Sequence, residues 1–305
     1  MIRVVVICGP TGVGKTATAI KLAREIKGEI VGADSLQIYR YLDIGTAKPT
    51  PEERALVPHH LIDILEPHQP FDAAKFVHLA DKAISEIVSR DRTPLVVGGT
   101  GLYIKALIYG LAPLSGKVGP VRERLKEELR ERGREVLYRR LQSIDPQAAA
   151  RISPGDTVRL LRALEIYELT GEPASRIWER HRFARPRYQA LKIGLTLPRP
   201  ILYARIEERT RQMFAQGLVE EVKGLLSRGF SPDIKPLKAI GYRQVVAYLE
   251  GKLTLEETVA EVVKETKRYA KRQLTWFRAD KEIFWFSPQE TEKIIELTRR
   301  FLAQR

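Results

Sequence analysis

Two spacings of apolar residues divide this chain. Over roughly the first third, short apolar runs alternate with stretches of helical periodicity. Residues 2–8, 29–33 and 94–97 read as buried strands, and 60–64 as a further short extended run. Between them, residues 15–27 set Ala19, Leu22, Ala23 and Ile26 on one helical face. Residues 73–89 do the same with Phe76, Ala80, Ala83, Ile84 and Ile87. This alternation predicts a parallel sheet covered by helices.

From 115 to 190 no strand is legible. Leu125, Leu129, Val136, Leu137 and Leu141 fit one amphipathic helix, weakened in its middle by Gly133. Val158, Leu161, Leu164 and Leu169 fit another. Residues 191–197 read as a strand again, and the remainder as mostly helical with a break at Gly241. The expected organisation is an α/β core, 1–114 and 191–305, interrupted by an all-helical insertion, 115–190.

Composition narrows the class. Hydrophobic residues make up 44% of 305, enough for a globular core. The single cysteine, Cys8, excludes an internal disulfide framework and lies inside an apolar run, where it reads as a small buried hydrophobe. No apolar stretch reaches bilayer length and no basic signal-peptide start is visible, so the expectation is a cytoplasmic protein without a membrane partner. Net charge is +14. The insertion contributes 17 Lys and Arg against 11 Asp and Glu, nearly half of the surplus.

The first strand runs into GPTGVGKT, residues 9–16, and then a helix. Glycines there let backbone N–H groups close on phosphate oxygens, Lys15 reaches the terminal phosphate, and Thr16 offers a hydroxyl to Mg²⁺. Asp34 ends the second strand, at the sheet edge where such folds bind ligands. There it could accept a proton, hold Mg²⁺ or merely cap a turn. The Gly98-Gly99-Thr100-Gly101 turn ends another strand. No strand ending in aspartate follows as in ordinary ATPases. His59 and His60 lack companions at metal-ligand spacing and read as structural.

Basic and aromatic residues interleave twice. Residues 176–188 hold Arg176, Arg180, Arg182, Arg185 and Arg187 among Trp178, Phe183 and Tyr188. Residues 264–281 hold Lys267, Arg268, Lys271, Arg272 and Arg278 with Tyr269, Trp276 and Phe277. Cations contact phosphates and aromatic faces stack on bases, so both stretches favour nucleic acid. Some of the aromatics could instead be core.

GPTGVGKT, DSLQIY at 34–39, GTAKPT at 45–50, HHLID at 59–63, GGTGLY at 98–103, RLLRALE at 159–165, IGYRQ at 240–244 and TKRYAKRQLTWFR at 266–278 resemble, in order, the bacterial tRNA dimethylallyltransferase (IPP transferase) family. The resemblance implies a P-loop NTPase-like fold turned to alkyl transfer. It implies transfer from dimethylallyl diphosphate to the N6 amine of tRNA adenosine 37, with Mg²⁺ as cofactor and a monomeric enzyme. Gly9, Pro10, Thr11, Gly12, Val13, Gly14, Lys15 and Thr16 would hold the diphosphate, and Thr16 the metal. Asp34 would be the general base, with Thr100 and Arg122 as further catalytic residues. Asp34, Ser35, Leu36 and Gln37, then Val158, Arg159, Leu160, Leu161 and Arg162, then Lys238, Ala239, Ile240, Gly241, Tyr242 and Arg243 would meet the tRNA anticodon stem-loop. The basic run adds Arg180 and Arg182. Gly12-Val13 stands where the family more often has Ala-Ser, and Val158 where Gln is common. A small-molecule P-loop kinase, and an isopentenyltransferase of free adenine nucleotides, are the alternatives.

Overall fold

The computed structural model describes residues 1–112 and 118–304. It divides into two compact units, Met1–Tyr109 with Pro186–Arg305, and Gly110–Arg185. The first unit begins β1 (Arg3–Cys8), α1 (Lys15–Glu25), β2 (Gly28–Gly32), α2 (Pro51–Leu56), β3 (His59–His60), α3 (Ala73–Ser89), β4 (Thr93–Gly98) and α4 (Gly101–Tyr109). The second unit contains α5 (Val118–Arg132), α6 (Arg134–Ile144), α7 (Pro146–Arg151), α8 (Thr157–Thr170) and α9 (Ala174–His181). The first unit then resumes with β5 (Gln189–Leu195), α10 (Arg199–Ala215), α11 (Leu218–Ser227), α12 (Tyr242–Leu249), α13 (Leu255–Arg278), β6 (Ile283–Phe286) and α14 (Thr291–Ala303).

The six strands form one parallel sheet in the order β3-β2-β4-β1-β5-β6. Helices cover both faces, so the central strands bury both sides and lose polar alternation. In β1, Val4, Val6 and Cys8 enter the core built with α3, α4 and α12. Val5 and Ile7 enter the opposite core, with α1 and α10. Lys192 on β5 and Glu29 on β2 are charged exceptions, and Lys192 is met by three partners. Its Nζ lies 2.6 Å from Tyr109 Oη, 2.8 Å from Asp280 Oδ2 and 2.7 Å from Glu282 Oε2. Burial alone would lower its pKa, but these three partners outweigh burial and raise it.

The second unit has its own core, including Leu125, Leu137, Leu141, Leu160, Leu164 and Ile177. Buried Asp145 stitches it together, accepting from Ala148 N at 2.9 Å and Ser175 N at 2.8 Å, at the starts of α7 and α9. No helix among the described residues is long and apolar enough to cross a membrane.

Three sequence expectations need correction. The single helix across Gly133 is two, because Gly133 takes φ 79° and ends the run between α5 and α6. The extended run at 60–64 shrinks to β3, since Leu61 and Asp63 adopt positive φ. The insertion boundary expected at 190 falls at 185: Tyr188 is buried in the first unit's core, and its hydroxyl donates to Asp81 at 2.6 Å. The expected boundary at 114–115 lies outside the described residues. The C-terminal part is mostly helical, as expected, and adds one unforeseen strand, β6, which extends the sheet beside β5.

Backbones approach most closely where strands end. A Cβ on Gly98 would lie 2.1 Å from Ala33 O, whereas one on Gly224, within α11, would meet nothing within 4 Å. Gly98→Ala is expected to destabilise by about 3 kcal/mol or more through forced backbone movement. Gly224→Ala is expected to stabilise by about 0.5–1 kcal/mol through helix propensity. Urea midpoints for the two variants, read at unchanged slope, check both signs.

Candidate active site

The ends of β1, β2 and β4 converge on one cavity of about 320 Å³. Thr11, Gly12, Gly14, Lys15 and Thr16 form one wall, Asp34 and Gln37 another, and Gly98 and Gly99 a third. Ala19, Ile30, Ile62 and Val97 give it an apolar floor. Gly14, at φ 103°, turns the chain into α1, whose N-terminal N–H groups lie at the cavity end of the helix.

The loop residues divide their work. Lys15 Nζ donates to Gly9 O at 3.1 Å and Pro10 O at 2.9 Å. Pro10 has no N–H to offer a phosphate. Val13 is fully buried and packs beneath the loop. Thr11 N–H is engaged by Gln273 Oε1 at 2.8 Å, and Gln273 Nε2 donates to Gly99 O at 2.9 Å. The cradle that faces the cavity is therefore narrower than the eight residues expected.

Arg209, on α10, escaped sequence reasoning. Its Nη2 donates to Thr11 Oγ1 at 2.6 Å, and its Nε is buried without a partner among the described residues. Burial lowers its pKa, opposed by Asp34. Lys15 is lowered to about 8, first by burial and then by Arg209, again opposed by Asp34. Two desolvated cations facing one carboxylate make a site that favours an added anion.

Asp34 Oδ1 accepts from Leu36 N at 2.8 Å and Gln37 N at 3.3 Å, which fixes the carboxylate and leaves Oδ2 with no hydrogen bond among the described residues. Gln37 Nε2 donates to Thr46 O and Ala47 O, both at 3.1 Å. Buried Lys48 anchors the same loop through Tyr39 O, Asp43 and Asp63. Glu221 anchors it from α11, accepting from Asp43 N, Ile44 N and Gly45 N at 2.7–3.1 Å and from Tyr242 Oη at 2.7 Å.

That last bond corrects an expectation. Tyr242 is buried and holds the loop rather than facing RNA, and Gly241 is buried beside it, leaving Lys238 and Arg243 exposed and Ala239 and Ile240 half-buried. Leu160 is likewise a core residue of the second unit, beside exposed Val158 and Arg159 and half-buried Leu161 and Arg162. Arg187 pairs with Asp81, so the end of the first basic stretch is structural. Arg180 is exposed and paired with Glu172, and Arg182 is exposed at the end of α9. Arg122 and Arg162 both bind buried Glu165 Oε2, at 2.8 and 3.1 Å.

Thr100 follows the glycine wall, its N–H on Ala33 O at 3.3 Å, but it does not line the cavity. His59, read as structural, does line it. Its Nδ1 lies 2.7 Å from Val57 O, its Nε2 is buried without a described partner, and burial lowers its pKa. His60 is structural, 2.7 Å from Glu29. Among the described residues no cluster of three His, Cys, Asp or Glu could hold a metal. Mg²⁺ bound mainly by phosphate oxygens needs fewer protein ligands, and the Thr16 hydroxyl at the cavity fits that role.

The parallel sheet, with a glycine loop leading from β1 into α1, defines a P-loop NTPase-like α/β protein. A family model described as IPP transferase matches residues 37–280, and one described as Isopentenyl transferase matches 2–59. The chain belongs to the IPP transferase family. It is 50% identical over 301 residues to tRNA dimethylallyltransferase 1 of Pelobacter propionicus, covering 99% of this chain and 97% of that protein. It is 50% identical over 302 residues to tRNA dimethylallyltransferase of Geobacter sulfurreducens, with the same coverage. Among solved structures, the full-length tRNA isopentenylpyrophosphate transferase of Bacillus halodurans matches with TM-score 0.74 at 41% identity, covering 99% and 97% of the two chains. A eukaryotic dimethylallyltransferase acting on tRNA matches with TM-score 0.87 at 26% identity, covering all of this chain and 80% of that one.

The depressed Lys15 predicts a pH-dependent anion site. A diphosphate ester binds the protonated amine, so affinity is expected to be steady near neutrality and to decline as pH rises past about 8. Lys15→Met should bind weakly throughout without that decline. Calorimetric titration of both forms with dimethylallyl diphosphate tests it.

Proposed function

We propose that this chain transfers a dimethylallyl group from dimethylallyl diphosphate to the N6 amine of adenosine 37 in tRNA, releasing diphosphate. The observation that carries the reading is the meeting of Lys15, Thr16, Arg209 and Asp34 in one small cavity with an apolar floor. The relatives' names support the reaction and the tRNA substrate.

The exocyclic amine is conjugated with the purine ring and is a weak nucleophile. Bond formation from N6 to the allylic carbon proceeds as the carbon–oxygen bond to diphosphate breaks. Lys15 and Arg209 stabilise the charge that collects on the departing diphosphate, in a site where burial strengthens each interaction. Mg²⁺, held by Thr16, would supply further charge neutralisation there. Asp34 takes the proton that the amine loses, through the oxygen left free by its backbone bonds. Ala19, Ile30, Ile62 and Val97 shield the allyl group from water.

RNA affinity comes from cations outside the cavity. On α13 the buried stripe Val262, Thr266, Ala270, Gln273 and Phe277 turns Lys264, Arg268, Lys271, Arg272 and Arg278 outward. Lys264 and Arg268 pair with Glu261 and Glu265, while Lys271 and Arg272 have no ion pair among the described residues. These suit the anticodon stem-loop, whose adenosine must leave its stack to reach the cavity. The protein works in the cytoplasm as a monomer.

The central test incubates the protein with labelled dimethylallyl diphosphate and unmodified tRNA, beside ATP and the same tRNA. Nucleoside mass spectrometry should show an isoprenoid adenosine, with ATP unconsumed; brisk ATP hydrolysis without adduct supports the kinase alternative. Asp34→Asn is expected to slow single-turnover transfer by about a thousandfold, with tRNA affinity within a few fold. Neutralising Lys271 and Arg272 together should weaken tRNA binding and lower the slope of log affinity against log salt by about 1.5, measured by filter binding across salt concentrations.

A further inference from the structure

Gln273 is a buried amide with both ends committed. Its Oε1 accepts Thr11 N–H at 2.8 Å in the phosphate loop, and its Nε2 donates to Gly99 O at 2.9 Å in the glycine turn after β4. It is the amide member of an otherwise largely apolar stripe on α13, and only 7% exposed. The fit is close: a Cβ on Gly99 would lie 2.2 Å from Gln273 Nε2, and one on Gly101 would lie 2.1 Å from Trp276 Nε1. The helix is thus seated on two glycine positions of one turn.

The chain of contacts continues beyond Gln273. Thr11, held through its backbone by Gln273, offers its hydroxyl to Arg209 Nη2 at 2.6 Å. Arg209 then presents a buried Nε, without a partner among the described residues, at the cavity wall. A guanidinium on a flexible stem has many rotamers, and Thr11 Oγ1 is what selects one here. Without Gln273, Thr11 N–H and Gly99 O would both lose buried partners, and the loop segment that aims Arg209 would be free to shift.

We infer that Gln273 is a positioning residue for diphosphate capture: through Thr11 it sets the loop and aims the Arg209 guanidinium at the leaving group. This rests on the diphosphate reading above. Gln273 touches no reacting atom. Its effect should fall on diphosphate recognition and spare the RNA surface, although it sits on the helix that carries the outward cations.

The test measures inorganic diphosphate binding with Mg²⁺ by calorimetry, and KM for dimethylallyl diphosphate and tRNA separately. Gln273→Met keeps the length and loses both hydrogen bonds. It should weaken diphosphate binding about tenfold and raise KM for dimethylallyl diphosphate alike, with KM for tRNA within twofold. Thr11→Val approaches the relay from its other end and leaves α13 untouched, so it serves even where Gln273→Met fails to fold. It should cost a similar factor, Thr11→Ser should restore affinity, and the Met and Val changes together should cost less than the product of their separate effects. Diphosphate affinity unchanged in Thr11→Val or in folded Gln273→Met overturns the inference while leaving the diphosphate site standing. So does a loss shared equally by tRNA. If the unaltered protein binds no diphosphate, the functional reading itself falls.

Discussion

Close backbone approach at the carboxyl ends of the strands is the constraint on which the site depends. Ala33 N–H donates to Val97 O at 2.8 Å, and the end of β4 passes so near Ala33 that only glycine fits at position 98. At the end of β1, a Cβ on Gly9 would lie 2.6 Å from Leu195 O on β5. These crossings bring the phosphate loop, Asp34 and the Gly98-Gly99 turn within one small cavity. Side chains from α10 and α13 can then reach the loop and the turn. Arg209 and Gln273 finish a site whose floor the sheet has already drawn.

The electrostatic design follows from that crowding. Lys15 and Arg209 are both desolvated, the arginine further depresses the lysine, and Asp34 is the counter-charge to both. Removing two cations from water is unfavourable, and one carboxylate offsets it incompletely. On the proposed reading, an incoming diphosphate would restore the balance and meet a fixed arrangement of donors, which is the condition for stabilising a leaving anion. The surrounding scaffold uses charge differently. Lys48 and Glu221 direct theirs at the loop after Asp34, keeping the carboxylate and Gln37 in place from behind.

Much of this is legible in the residues alone. The loop at 9–16 announces itself by spacing, and Asp34 by its place after a buried strand. Arg209 is not legible, because it is one arginine among several on α10 and nothing in its neighbours marks it as buried. Gln273 is hidden inside a basic stretch whose charge draws attention outward. Tyr242 and Leu160 each lie in a motif among residues that do reach the surface. A motif is contiguous in sequence, whereas a helix turns successive residues toward core and solvent. Tyr188 misleads in the same way, its aromatic ring serving the core. β6 escapes because four residues behind a long helix carry too little pattern to separate strand from loop.

The split of the first unit across the chain has a further meaning for a protein made from one end. β1 sits between β4 and β5. Emerging from a ribosome, β1 can pair with β4 early, but its other edge stays open until all of Gly110–Arg185 has been translated and β5 arrives. An apolar strand with a bare edge is a template for wrong partners. The insertion has a core of its own, so it can collapse as it emerges, and the loop to be closed when β5 pairs with β1 is effectively shorter than its residue count.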